Sequence, residues 1–224
     1  MRVDLIEKHS FIADHLSEDS RIIDLGANEG GFSMEIIRRY GSYVIGVEPV
    51  PVLVERMPRH VRFAIEPSAI TEDEHPVALN INPTMCASMG IVEEGATSVT
   101  VPGITLGQLM EKHRIERVAL LKVDIEGAEI SLFESAPDAT LLCIDQITVE
   151  YHDFIQPQLS VAVRRADSRL RRLGFQRLRF SLDRTDVLYL HPRLHLGLTQ
   201  KATVLARFKY ARGARRRMRA LIQP

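Results

Sequence analysis

The chain has 224 residues, is 45% hydrophobic and carries 29 basic against 29 acidic side chains, which suits one domain with one sizeable core. Two cysteines, Cys86 and Cys143, show no metal-ligand spacing and exclude a disulfide framework. The opening MRVDLIEKHSF has charges throughout and no long apolar run, so neither a secretory leader nor a membrane span is expected and the chain reads as cytoplasmic.

In chain order, Leu5, Ile6, His9, Ile12, Ala13 and Leu16 recur at helical spacing. Residues 3–16 are therefore expected to form an amphipathic helix within an N-terminal element, 1–19, that covers one face of the domain. A polar connector, 17–20, leads into RIIDLGANEGGFSMEIIRRYGSYVIGVEP, residues 21–49. This stretch predicts a strand into Asp24, a turn crowded with Gly26, Asn28, Gly30 and Gly31, a helix over 33–39, and a strand over 43–47 ending at Glu48-Pro49. Gly26 and Glu48 stand 22 residues apart (48 − 26). That spacing sets a carboxylate against ribose hydroxyls in a nucleotide-binding βαβ unit.

The turn chooses among adenosine ligands. A dinucleotide fingerprint would be G-x-G-x-x-G, with a helix N-terminus open to pyrophosphate. Here the middle glycine is absent, and Glu29 at the start of the helix would repel a pyrophosphate. S-adenosylmethionine has no phosphate and carries a sulfonium and an ammonium, so it is the expected cofactor. A Ser-Tyr-Lys dehydrogenase is disfavoured, because none of the five tyrosines has a lysine four places on.

Further along, 50–57 predicts a short helix and 61–65 a strand followed by Glu66-Pro67-Ser68-Ala69-Ile70. Residues 75–82 and 96–101 read as strands flanking a lid-length loop over 83–95. Thr105 is placed to cap a helix reaching His113. The apolar run 118–123, broken only by Lys122, reads as a central parallel strand. A strand over 141–149 leads into Glu150-Tyr151-His152-Asp153, a helix over 159–173 is stopped by Gly174, and 176–180 with 187–190 form an antiparallel pair. Helices and strands alternate, so the expected fold is a three-layer α/β sandwich around a mostly parallel sheet with an antiparallel C-terminal end. The domain is expected over 1–192 and a basic helical tail over 193–224. Beyond Asp186 there are nine bases and no acids, which leaves 20 bases against 29 acids up to and including it.

In an open α/β sheet, ligands lie beyond the carboxyl ends of the strands, where Asp24, Glu48, Asp124 and Glu150 are all expected. Alternation puts Lys122 and Asp124 on one side of their strand and Val123 on the other. Lys122 reads equally as a structural ion-pair partner, and Glu129 as an acid favoured by a helix start. A divalent ion on Asp124, Glu126 and Glu150 is an open but disfavoured reading, so no metal ligand is assigned. Asn80 to Met85 (NINPTM) sits at the wrong strand for a nucleic-acid amino-methyltransferase motif and reads as a turn.

DLGANEGGFS (24–33), VEPVP (47–51), Ser68-Ala69, Thr105-Leu106, LLKVDIEGAE (120–129) and Glu150 together resemble the FkbM-type S-adenosylmethionine-dependent methyltransferases. The similarity covers about residues 20 to 152, with Gly107 departing from the family's usual acid. It implies a Rossmann-like fold and methyl transfer to a hydroxyl of a sugar, glycolipid or natural product. The cofactor residues expected on this reading are Asp24, Gly26, Ala27, Asn28, Gly30, Glu48, Pro49, Ser68, Ala69 and Asp124. Asp124, Glu126, Glu150 and His152 are the candidates at the reacting end, where a hydroxyl acceptor needs alignment and a general base. The basic tail suits an anionic membrane surface, which would make the protein peripheral there, with nucleic acid less favoured. The alternative is a non-catalytic or RNA-associated protein on the same fold.

Overall fold

The computed structural model describes residues 1–81, 87–88, 97–125, 127–151, 160–181 and 185–206. In chain order the elements are β1 (Val3–Ile6), β2 (His9–Ile12), β3 (Arg21–Leu25), α1 (Gly31–Tyr40), β4 (Tyr43–Val47), α2 (Pro51–Arg56), β5 (Phe63–Glu66), β6 (Ala69–Ile70), β7 (Val77–Ile81) and β8 (Ala87–Ser88). They continue with β9 (Thr97–Val101), β10 (Gly103–Ile104), α3 (Leu106–Lys112), β11 (Leu120–Val123), α4 (Glu129–Ser135), α5 (Asp138–Leu141), β12 (Gln146–Val149), α6 (Ser160–Arg172), β13 (Gln176–Arg179) and β14 (Val187–Leu190).

Seven strands form the main sheet in the order β13-β14-β12-β11-β3-β4-β5. The five strands from β12 to β5 are parallel, whereas β14 and β13 pair antiparallel. The chain winds outward from β3 through β4 to β5, then returns to β11 and moves the other way. The order thus reverses between β3 and β11, where a crevice opens above the strand ends. Alternation divides the core between the two faces. Ile23, Leu25, Leu121, Val123, Ile147 and Val149 pack with residues of α3, α4 and α6. Ile22, Val44, Leu120, Leu188 and Leu190 pack with α1 and the N-terminal segment. Val123 therefore faces away from Lys122, as alternation requires.

The N-terminal segment differs from expectation. Residues 3–16 form no α-helix: β1 and β2 make an antiparallel hairpin, followed by a 3₁₀ turn at Ala13–His15. Its turn uses Glu7 at φ 54°. The apolar positions that match a helix also serve a hairpin, and tertiary partners decide between the two. Gln146 accepts from the Ile12 amide at 2.8 Å and donates to its carbonyl at 3.2 Å. Asp186 accepts from the Ser10 amide and hydroxyl at 3.1 and 2.7 Å. These buried bonds seat the hairpin across the sheet and satisfy backbone groups that a helix would have satisfied internally.

A second correction concerns 141–149: Leu141 closes α5 and the strand proper is Gln146–Val149. Pro137 precedes α5 and Asp138 occupies its first turn, both favourable for starting a helix. At Thr105 the expected cap is a full capping box with Gln108. The 83–95 loop lies outside the described residues apart from β8. So do the turn at Asp183-Arg184 and residues 207–224, which hold seven of the nine C-terminal bases. Residues 198–206 are helical and bury Val204 against the domain, while Arg193 pairs with Asp145. Among the described residues no helix is long and apolar enough to cross a membrane.

Candidate active site

The turn after β3 is closed upon itself. Gly26 has φ 74°, and a Cβ there would lie 1.8 Å from the Asp124 carbonyl oxygen, so only glycine lets this turn touch the end of β11. The Gly26 and Ala27 amides both donate to Val47 O at 3.0 Å, and the Gly30 amide donates to Ala27 O at 2.8 Å. The Asn28 amide donates to Glu48 Oε2 at 2.9 Å, and the Glu29 amide to Asn28 Oδ1 at 2.8 Å. Every N–H from Gly26 to Gly30 is therefore engaged within the turn and its neighbours.

Beneath the turn lies a buried ion pair. Register aligns Asp24 with Lys122 on adjacent strands. Lys122 Nζ sits 3.0 Å from Asp24 Oδ1 and donates to Gly26 O at 2.7 Å. The Ser33 hydroxyl donates to Asp24 Oδ2 at 2.7 Å. Burial would depress the Lys122 ammonium, but Asp24, Asp124 and Glu7 outweigh it and hold its pKa above the usual lysine value. Asp24 is fully buried and, like Gly30, shapes the turn from below without lining the cavity.

Above the turn is a cavity of about 460 Å³, within the range of small-molecule sites. Of the ten expected cofactor residues, Gly26, Ala27, Asn28, Glu48, Pro49, Ser68, Ala69 and Asp124 line it. Glu48, 5% exposed, is fixed by the Asn28 amide and by the Val50 amide at 3.0 Å. Burial pushes its carboxyl above the ordinary glutamate value, and the two amides offset part of that rise. Glu7, Glu29, Glu48 and Asp124 against Lys122 give the lining an excess of negative charge. Ile70, Leu79, Ile125 and Ala128 add apolar surface.

At the β11–β12 end, Asp124 meets residues from the hairpin. His9 Nε2 lies 3.6 Å from Asp124 Oδ2, and Lys122 Nζ 3.8 Å from the same oxygen. Glu150 is buried and takes Lys8 Nζ at 3.0 Å. Glu126 and His152 lie outside the described residues. The structure thus unites Asp124 with Glu150 and adds Glu7, Lys8 and His9, of which a helical reading of 3–16 counts only His9 at the apolar spacing. The signal available was Glu7-Lys8 as a short polar turn between Val3–Ile6 and His9–Ile12, segments rich in β-branched and aromatic residues.

Residues 24–177 match the family described as Methyltransferase FkbM domain. A curated relative, Methyltransferase 1 of Beauveria bassiana (strain ARSEF 2860), is 25% identical over 186 residues, covering 68% of this chain and 75% of that protein. Among solved structures, Aeropyrum pernix fibrillarin with natively bound S-adenosyl-L-methionine aligns at TM-score 0.37 and 13% identity, over 78% of this chain and 66% of that one. A methyltransferase in complex with the Haloferax volcanii Trm112 methyltransferase activator aligns at TM-score 0.39 and 10% identity, over 79% and 84%.

Proposed function

The chain belongs to the FkbM methyltransferase domain family, and on that premise we propose that it transfers a methyl group from S-adenosylmethionine to a hydroxyl oxygen of a sugar, glycolipid or natural-product acceptor. The observation that carries the cofactor assignment is the spent turn. With all five amides from Gly26 to Gly30 engaged internally, the turn offers no donors to a pyrophosphate. The excess of carboxylates around the cavity opposes an anion further and favours a sulfonium and an ammonium. S-adenosylmethionine fits this donor set.

Glu48 accepts the ribose hydroxyls, and Gly26, Ala27, Asn28 and Pro49 form the surface against which the nucleoside rests. Ser68 and Ala69, with Ile70 and Leu79, enclose the base. Asp24 and Gly30 act through the shape of the turn. The bound cofactor supplies a methyl on a sulfonium that departs as a neutral thioether. The chain's own task is then to align the acceptor oxygen, exclude water and receive a proton. Asp124 stands where the cofactor cavity meets the acceptor side and holds the hydroxyl. Glu150 lies next to it, and Glu126 and His152 complete the set of candidate proton acceptors.

Labelled cofactor with a panel of hydroxylated acceptors tests this reading. Transfer of label to an oxygen, with S-adenosylhomocysteine as co-product, is expected. Tight cofactor binding with no turnover on any acceptor or cell extract would favour a non-catalytic binding protein instead.

A further inference from the structure

His9 is a buried polar group with an unmet need. It is 1% exposed, and its Nε2 finds no hydrogen-bond partner among the described residues. Such an atom ordinarily has a partner or a reason to lack one. The ring is held in place: Nδ1 lies 3.4 Å from the Thr148 hydroxyl, and Phe32 packs edge-on at 5.9 Å between centroids. The Thr148 hydroxyl can donate to Nδ1 or accept from it; with the proton on Nδ1, the Nε2 lone pair is open beside the Asp124 carboxylate 3.6 Å away. Donor atoms of His9, Asp124 and Glu150 all lie within 4.8 Å of one another.

We propose that His9 Nε2, Asp124 and Glu150 form a binding site for a divalent cation. The set comes from three separate parts of the chain: the hairpin, the end of β11 and the end of β12. One imidazole with two carboxylates suits Mn²⁺ or the softer Zn²⁺ better than Ca²⁺, which prefers an all-oxygen shell. Metal–ligand bonds of about 2.1 Å set donors about 3.0–3.4 Å apart at octahedral or tetrahedral angles, so donors that lie within 4.8 Å of one another close by up to about 1.5 Å when an ion binds. Thr148 is then the outer partner that orients the imidazole, as metal-bound histidines generally require. Two ammonium groups compete for the same oxygens. Lys122 is committed to Asp24 at 3.0 Å, whereas Lys8 holds Glu150 through a largely exposed side chain that an ion can displace.

The use of the ion rests on the methyl-transfer reading above: it would bind the acceptor's hydroxyl and ease its deprotonation. The existence of the site does not depend on that reading. Mn²⁺ titration of the full chain, followed by electron paramagnetic resonance, reads binding directly, with S-adenosylhomocysteine calorimetry run in parallel. One saturable Mn²⁺ per chain is expected, weakened at least tenfold by His9→Gln and by Glu150→Gln. Both variants keep side-chain volume, and their retained S-adenosylhomocysteine affinity would show that they are folded. Absence of saturable Mn²⁺ binding to wild type would overturn the proposal, as would unchanged Mn²⁺ affinity in folded His9→Gln. Loss of S-adenosylhomocysteine binding by wild type would instead count against the cofactor reading and leave the Mn²⁺ result standing.

Discussion

The two halves of the cleft are built on opposite principles. On the β3–β4 side, the turn comes from one contiguous stretch, its amides are spent, and Glu48 is clamped by two of them. On the β11–β12 side, the groups come from residues 9, 124 and 150. His9 Nε2 is unmatched among the described residues, and Asp124 is 28% exposed. A closed, pre-satisfied wall recognises one invariant ligand without reorganising. A wall with an unmatched imidazole nitrogen suits something that brings its own donor or charge, as the proposed acceptor or ion would.

Substitutions that should affect one half and spare the other test this division. The largest effect is expected from Asp124→Asn, which keeps shape and removes charge on the acceptor side. Turnover should fall by roughly 10²–10⁴, with S-adenosylhomocysteine affinity within a few-fold of wild type. Single-turnover kinetics with a labelled methyl would show it, and an unchanged rate would move the chemistry elsewhere. Lys122→Met strikes the buried pair that both halves share. It leaves the Asp24 carboxylate without its ammonium, so a loss of about 3–5 kcal/mol in urea unfolding is expected.

Glu48→Ala should weaken cofactor binding by about 1.5–3 kcal/mol, the range for a hydrogen bond to a charged group, while the Mn²⁺ titration stays unchanged. Glu48 also sets a pH dependence. Burial raises its carboxyl in the folded state, so its contribution to stability is full below the unfolded glutamate value. That contribution is lost as pH rises through the folded value. Glu48→Gln should therefore flatten the decline of melting temperature within that window, by a few degrees at most, and an unaltered profile would contradict the assignment. The smallest effect on the domain is expected from truncation after Ala206, since 193–206 already pack on it through Leu196 and Val204. The melting temperature should hold, while binding to anionic vesicles at low salt is lost.

Legibility in the sequence follows the same division. The strand, turn and helix over residues 24–47 are legible because they are neighbours in the chain. The Thr105 cap is legible for the same reason, while its partner Gln108 is a finding of the structure. The hairpin is not legible. Its apolar spacing is compatible with a helix, and its backbone is satisfied by Gln146 and Asp186, 134 and 176 residues away. A helical reading of 3–16 puts His9 on a covering face, away from the site. Asp24 was readable as a strand-end acid but not as a buried one, because that depends on Lys122 across the β3–β11 register. Non-local partners decided each of these cases.

The central claim is that the cleft takes an adenosine without phosphate. Calorimetric titration of the full chain with S-adenosylhomocysteine and, separately, with NAD⁺ tests it most directly. One site for S-adenosylhomocysteine is predicted, together with no measurable NAD⁺ binding, because the amides from Gly26 to Gly30 are engaged and carboxylates crowd the cavity. NAD⁺ binding as tightly as S-adenosylhomocysteine, or failure of S-adenosylhomocysteine to bind at all, would contradict it.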